Sequence, residues 1–325
     1  MAYKKQQSIE SLKDGVRVED IFVVKLKKGF SPYAKGFSFQ LLLTDSSGKT
    51  IDYKYWGGHE EGKVRKLYDS IPADEVVFVQ GKASTYMDKL QISTNEPDII
   101  VPVAAGEYDP ADFIMPAKRD VDEMCEELMG YIGTVGNPEV KALLESIFRD
   151  SAVMEKFKKH PGAIEIHHNW TGGLLQHTLE VVEYSLLSKK LFTDLNTDLL
   201  IAGALLHDIG KLDEIEVKTR IKGTKKGQLK GHIALGYNRV SGVMERLGTS
   251  EEVKDKLLHI ILSHHGSNEN GSPKPPMIPE AFAVYYADEM SSKLSEITEY
   301  VKWARGSTDD EFMYHKRHGH NILLD

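Results

Sequence analysis

Eight consecutive apolar residues at 199–206 (LLIAGALL) run without a break into His207-Asp208. A helix that is apolar on every face belongs inside a core, so this chain has to fold with an imidazole and a carboxylate at the end of a buried element. Such a pair costs several kcal/mol in the interior unless something compensates, and a metal cation is the usual compensation. The dipeptide carries no weight by itself: with 13 His and 22 Asp in 325 residues, about one His-Asp is expected by chance. Its setting carries the weight. Lys211 falls four residues after His207, on the same face if a helix continues through 198–211.

Further candidates recur at intervals of a helix plus a loop. His177 precedes His207 by 30 residues, His232 follows Asp208 by 24, His264 follows His232 by 32, and Asp288 follows His265 by 23. Each sits in or at the end of an apolar-striped segment, and helix bundles build metal sites by pointing ligands inward from facing helices. The five imidazoles of His177, His207, His232, His264 and His265, with Asp208 and Asp288, exceed the four ligands of one tetrahedral zinc. They suit two divalent cations a few Å apart, with Asp208 able to bridge. Taken singly, His177 or His232 reads as a hydrogen-bonded structural histidine, and His264-His265 as a polar helix end stopped by Gly266. Lys211 alone reads as a solvated last-turn lysine. The set, and no single member, points to metal.

The rest of the chain divides by period. Segments 16–26, 37–44 and 50–56 are β-branched and aromatic, with Phe37, Phe39, Leu41 and Leu43 alternating as in a half-buried strand. A helix is expected at 60–70 and two more strands at 76–83 and 90–94. Three strands, a helix and two strands is the order of an OB-fold, a small barrel that commonly binds single-stranded nucleic acid. Residues 106–118 read as a linker punctuated by Gly and Pro. Everything beyond, 119–325, reads as helical, giving an all-β barrel at 1–105 followed by an all-α domain. No stretch approaches the roughly 20 apolar residues of a membrane span. The polar start and the single Cys125 fit a reducing, cytoplasmic setting. Net charge is −8, yet residues 1–105 hold 15 basic and 14 acidic side chains, so the acidity lies in the second domain.

The series His177, His207-Asp208-Ile209-Gly210-Lys211, His232, His264-His265, Asp288 resembles the HD superfamily of metal-dependent phosphohydrolases. Within it, 167–178 (HHNWTGGLLQHT), 231–234 (GHIA) and 262–266 (LSHHG) resemble the YhaM family, bacterial 3′→5′ exoribonucleases with an OB-fold ahead of the HD domain. The resemblance implies two divalent ions per chain, Mn²⁺ favoured over Mg²⁺, Co²⁺, Fe²⁺ or Zn²⁺. It also implies single-stranded RNA or DNA as substrate, and homo-oligomeric assembly. It assigns His177, His207, Asp208 and Asp288 to one ion, and Asp208, His232, His264 and His265 to the other. A water between two such cations deprotonates near neutral pH and attacks phosphorus. Lys211 is then the candidate for holding a phosphate oxygen, and His168 for touching the phosphate or the leaving group.

Two basic regions fit such a substrate. Residues 218–230, with Lys218, Arg220, Lys222, Lys225, Lys226 and Lys230 and no acid, suggest a hairpin overhanging the site and attracting a phosphate backbone. In the barrel, Lys25, Lys27 and Lys35 accompany Tyr33, the mixture of charge and aromatic faces that single-strand binding uses. The tail 314–320 could add a contact, but its histidines are not read as a metal site. Two rivals stand beside the exonuclease. A nucleotide phosphohydrolase or cyclic-nucleotide phosphodiesterase needs neither barrel nor hairpin. A non-catalytic single-strand-binding protein would not need a complete ligand set.

Overall fold

The computed structural model describes residues 3–164 and 168–324, which form two units, 1–116 with 217–221, and 117–216 with 222–325. His167 of the HHNW segment lies outside the described residues.

In the first unit, β1 (Arg17–Tyr33), β2 (Gly36–Thr44) and β3 (Thr50–Trp56) form an antiparallel meander, followed by α1 (Glu61–Asp69), β4 (Val76–Tyr86), β5 (Lys89–Asn95) and β6 (Ile100–Pro102). β3 pairs with β5 in parallel and β5 with β4 antiparallel. β1 pairs with β4 through residues 17–23 and with β2 through 23–33, so one strand closes the barrel. It can do so because irregular register after Val24 and after Lys27 bends it, the role of bulges at barrel corners. The alternation seen in the sequence sends Phe39, Leu41 and Leu43 inward beside Tyr53, Tyr55 and Ile92. This five-stranded closure with a helix between the third and fourth strands is the OB-fold order; the strand expected at 16–26 continues to Tyr33. Part of the segment expected to be a linker is packed. Phe113 and Ile114 are buried, and Phe113 completes a second apolar cluster with Ile21, Val23 and Val76.

The second unit is helical around one core. It comprises α2 (Val121–Thr134), α3 (Pro138–Phe148), α4 (Ser151–Lys159), α5 (Gly173–Leu191), α6 (Thr197–Leu206) and α7 (Lys211–Glu214). After the short strands β7 (Ile215–Val217) and β8 (Ile221–Gly223) come α8 (Lys225–Leu247), α9 (Glu251–Ser263) and α10 (Pro279–Arg305), and the chain ends in β9 (Phe312–His315) and β10 (His320–Leu323). Asn137 caps α3 and Pro138 opens it, as the Asn-Pro step predicts. α6 is the central element: all eight residues at 199–206 are buried, and it packs against α3, α5, α9 and α10. None of the described helices is long and apolar enough to cross a membrane.

Two expectations need correction. The helix expected over 198–211 stops at Leu206, and the chain turns through 207–210 before α7. Gly210 lets α8 approach this turn closely: a Cβ there would lie 2.0 Å from the carbonyl oxygen of His232. The basic stretch 218–230 is likewise not one hairpin. The hairpin is β7–β8, and Lys225, Lys226 and Lys230 belong to α8, capped by Thr224.

Candidate metal centre

The end of α6 organises the centre. Successive residues of a helix point about 100° apart; by leaving the helix after His207 the chain aims both His207 and Asp208 at the same interior point. Around it stand His177 from the first turns of α5, His264 at the C-terminus of α9, and Asp288 one-third of the way along α10. His232 arrives from α8 just after Gly231, whose φ of 70° breaks the helix, a left-handed conformation that glycine adopts without a Cβ penalty. All seven side chains expected from the sequence converge. His177, His207 and His264 have no exposed surface, and Asp208 is 2% exposed.

The geometry has two halves sharing Asp208. Its Oδ2 lies 3.5 Å from His177 Nε2 and 3.4 Å from His207 Nε2, with Asp288 Oδ1 3.1 Å from His177 Nε2. Its Oδ1 lies 3.5 Å from His232 Nε2 and 3.6 Å from His264 Nε2. The His265 ring is 4.4 Å from that of His264 and 5.0 Å from that of His232. Donor atoms bound to one tetrahedral ion at 2.0–2.2 Å sit roughly 3.4 Å apart, so both halves have the spacing of a coordination shell. Asp208 Oδ1, His232 Nε2 and His264 Nε2 are buried with no hydrogen-bond partner. Three orphaned polar atoms facing one point cost several kcal/mol in a core, and a cation satisfies all three. The residues fit a divalent metal pair.

The other ring nitrogens fix the imidazoles. His207 Nδ1 faces the Ala204 carbonyl and His264 Nδ1 that of Ile261, both at 2.7 Å, and His265 Nδ1 faces that of Asn270 at 3.1 Å. His232 Nδ1 lies 3.2 Å from Glu214. His177 Nδ1 meets the Ser291 hydroxyl at 2.9 Å, and Ser291 donates to Glu180 at 2.6 Å. Each Nε2 is thereby left toward the centre, the tautomer a metal ligand needs. Glu214, Glu180 and Ser291 were missed in the sequence. Each lies three residues from a site residue (Lys211, His177 and Asp288), so the available signal was a polar side chain one turn beyond it.

Burial alone would raise the Asp208 carboxyl, but Lys211 and His207 hold it well below the usual carboxylate range. Asp288 is lowered too, against its burial, by His177 and His207. Burial pushes His177 down, yet pairing with Asp208 and Asp288 wins and raises it to about 9. Burial leaves His264 and His265 lowered, hence neutral and ligand-competent at pH 7. Lys211 Nζ donates to Asp208 Oδ2 and to the Gly162 carbonyl, both at 2.7 Å; the first contact spans three residues, one turn, and the same-face relation expected with His207 is replaced by it. His168 is fully buried, its Nε2 3.0 Å from Glu180 and its ring 5.2 Å from that of His177. Through Glu180 and Ser291 it is linked to His177 Nδ1.

A cleft of about 940 Å³ opens onto the centre, lined by Lys211, His232, His265 and Asp288, with Lys230 and Lys293 among the other lining residues. The remaining expected nucleic-acid contacts are dispersed. Lys25 and Lys35 are exposed, Lys27 donates to the Tyr68 carbonyl at 2.6 Å, and Tyr33 donates to that of Gly57 at 2.9 Å with its ring against Trp56. Arg220 pairs with Asp74, Lys222 lies 3.8 Å from Glu216, and Lys226 lies 3.7 Å from Asp213. Lys225 is exposed in the first turn of α8.

A family match and a relative agree with this anatomy. The family described as "HD domain" matches residues 174–293. The 3′-5′ exoribonuclease YhaM of Geobacillus sp. (strain WCH70) is 32% identical over 287 residues, covering 87% of this chain and 84% of that protein. Among solved structures, the OB domain of Ta0387 from Thermoplasma acidophilum is similar over 31% of this chain and 89% of that one, at 13% identity and a TM-score of 0.25. Schizosaccharomyces pombe Pot1pC bound to single-stranded DNA is similar over 30% and 85%, at 10% identity and a TM-score of 0.23. With the relative's identity extending across both units, this chain belongs to the YhaM family of HD-domain exoribonucleases.

Proposed function

We propose that the chain is a divalent-metal-dependent 3′→5′ exonuclease of single-stranded nucleic acid, RNA ahead of DNA, working with two ions, Mn²⁺ favoured. The observation that carries the reading is the two-sided Asp208, with imidazole Nε2 atoms facing each of its oxygens at the floor of a cleft. His177, His207, Asp288 and Asp208 Oδ2 would hold one ion; Asp208 Oδ1, His232, His264 and His265 would hold the other. Bound there, the cations supply Lewis acidity, acidifying a water and offsetting charge on the phosphoryl oxygens. The chain itself orients the ligands through Glu214, Ser291 and the helix carbonyls. Lys211 Nζ, 2.7 Å from Asp208 Oδ2, would release it and donate to a phosphate oxygen in the cleft. Lys25, Lys35 and Lys225 would attract a backbone without reading sequence. The directionality is that in the name of the Geobacillus relative.

End-labelled single strands of RNA and DNA, incubated with Mn²⁺ beside free nucleotides and cyclic nucleotides, test the reading. Stepwise shortening from the 3′ end, stopped by chelator, is expected. Hydrolysis confined to the small esters would favour a nucleotide phosphohydrolase instead.

The same reading includes homo-oligomeric assembly. Phe282, Tyr286, Met290 and Leu294 are exposed at four-residue steps along α10, and Phe192 after α5 lines one groove with Phe282 and Tyr286. An exposed apolar face of this kind supports an interface between copies of the chain. Tyr286→Glu is expected to shift sedimentation toward a smaller species, and an unchanged sedimentation coefficient would remove this face from the assembly.

A further inference from the structure

A second set of donors meets at the end of the chain. α10 carries Glu296, while His315 closes β9 and His318 lies in the turn before β10. These three each offer a donor atom within 4.8 Å of the others. Glu296 and His315 are both only 7% exposed. His315 Nε2 lies 3.7 Å from Glu296 Oε1, and His318 Nε2 lies 3.7 Å from Glu296 Oε2. Those separations are too long for hydrogen bonds and near the roughly 3.4 Å that donors span across a tetrahedral ion.

The plainer reading is a buried carboxylate neutralised by Arg317, whose Nη1 lies 3.2 Å from Oε2. That accounts for one oxygen only. The Arg317 side chain is 55% exposed, and a solvated partner contributes little. His318 Nε2 is meanwhile buried with no hydrogen-bond partner. An unpartnered imidazole nitrogen aimed at a buried carboxylate is the mark of an absent cation or of an uncompensated cost.

We propose that Glu296, His315 and His318 form a third cation site, distinct from the pair at Asp208 and taking a single zinc-like divalent ion. Two imidazoles and a carboxylate are a zinc donor set, with water completing the tetrahedron. The ion would fasten the C-terminal hairpin to α10. β9 and β10 have four residues each, and an isolated hairpin of that size is marginal. Phe312, Tyr314 and Leu323 remain exposed, so the hairpin buries little of its own apolar surface. Beside the Arg317–Glu296 contact and the His315 ring against Tyr300, its ties include a hydrogen bond from the Tyr300 hydroxyl to the Tyr314 carbonyl at 3.0 Å and one from Arg305 Nε to the Leu324 carbonyl at 2.9 Å. Glu296 and Arg317 also line the 940 Å³ cleft, so the ion fixes part of its wall. Loading at His315 Nε2 puts that ring's proton on Nδ1, and the 3.2 Å hydrogen bond from the His318 amide to Nδ1 opens.

The test is the zinc content of the full chain after saturation with Zn²⁺ and removal of excess, by elemental mass spectrometry. His318→Ala and Glu296→Gln should each carry one ion per chain fewer than the parent. Glu296→Gln keeps the side chain's volume and leaves the turn untouched, so it decides the matter should His318→Ala fail to fold. Zinc content equal to the parent's in folded Glu296→Gln overturns the proposal.

Discussion

Asp208→Asn is expected to abolish phosphodiester cleavage, by at least about 10³-fold, or ~4 kcal/mol of transition-state stabilisation, while leaving single-strand binding within a few-fold. Asp208 is the side chain that touches both halves of the centre, Oδ2 toward His177 and His207, Oδ1 toward His232 and His264. Asparagine keeps its volume and one oxygen, so packing survives, but it removes the charge that two cations would share. Asn is the sharper test than Ala. Either substitution removes the ion pair with Lys211, 12% exposed at its side chain, but truncation also removes any oxygen that could accept from its Nζ and leaves a void. Turnover at saturating Mn²⁺ and fluorescence anisotropy on a labelled strand measure the two quantities separately. Activity within tenfold of the parent would take Asp208 out of the reaction.

Cations should also stabilise the fold, with a steep dependence on pH. At 100 to 1,000 times Kd, a ligand bound only by the native state adds about 2.7–4.1 kcal/mol. An ion held by His177 would compete with a proton for its Nε2, and in the ion-free protein that imidazole is raised to about 9. Each pH unit below 9 therefore weakens binding about tenfold, ~1.4 kcal/mol, through this ligand alone. The ion-free protein runs the other way. A histidine raised on folding lends stability that is complete below its unfolded value near 6.5 and is lost as pH climbs toward 9. Both describe the one proton on His177, so the gap between loaded and chelated protein widens as pH rises by that single increment. Thermal unfolding in Mn²⁺ and in chelator at pH 6, 7 and 8 should show midpoints separating progressively; a gap that is constant or shrinks would mean that His177 does not bind the ion.

Much of this was legible in the sequence. A barrel announces itself by period two, and Phe39, Leu41 and Leu43 point inward as alternation requires. The seven side chains were legible because an apolar run that ends in an imidazole or an acid carries that group into the core, where it must be neutralised or bound. What escaped depends on tertiary approach. Just past the end of α6, α8 packs against Gly210, a contact between segments that no local pattern encodes. Glu214, Glu180 and Ser291 look like solvated helix residues until their neighbours are in place. The C-terminal histidines look like a polar tail because their carboxylate, Glu296, lies in the middle of a long helix and gives no sign of being buried.

The lysine that bridges Asp208 and the Gly162 carbonyl has a consequence for maturation. Small zinc domains stay unfolded until their metal arrives, because nothing else offsets their ligands. Here an ammonium group already balances the central acid, so the polypeptide can collapse first and acquire its ions afterwards. The choice among Mn²⁺, Fe²⁺, Co²⁺ and Zn²⁺ would then fall to whichever ion is available once the chain has folded.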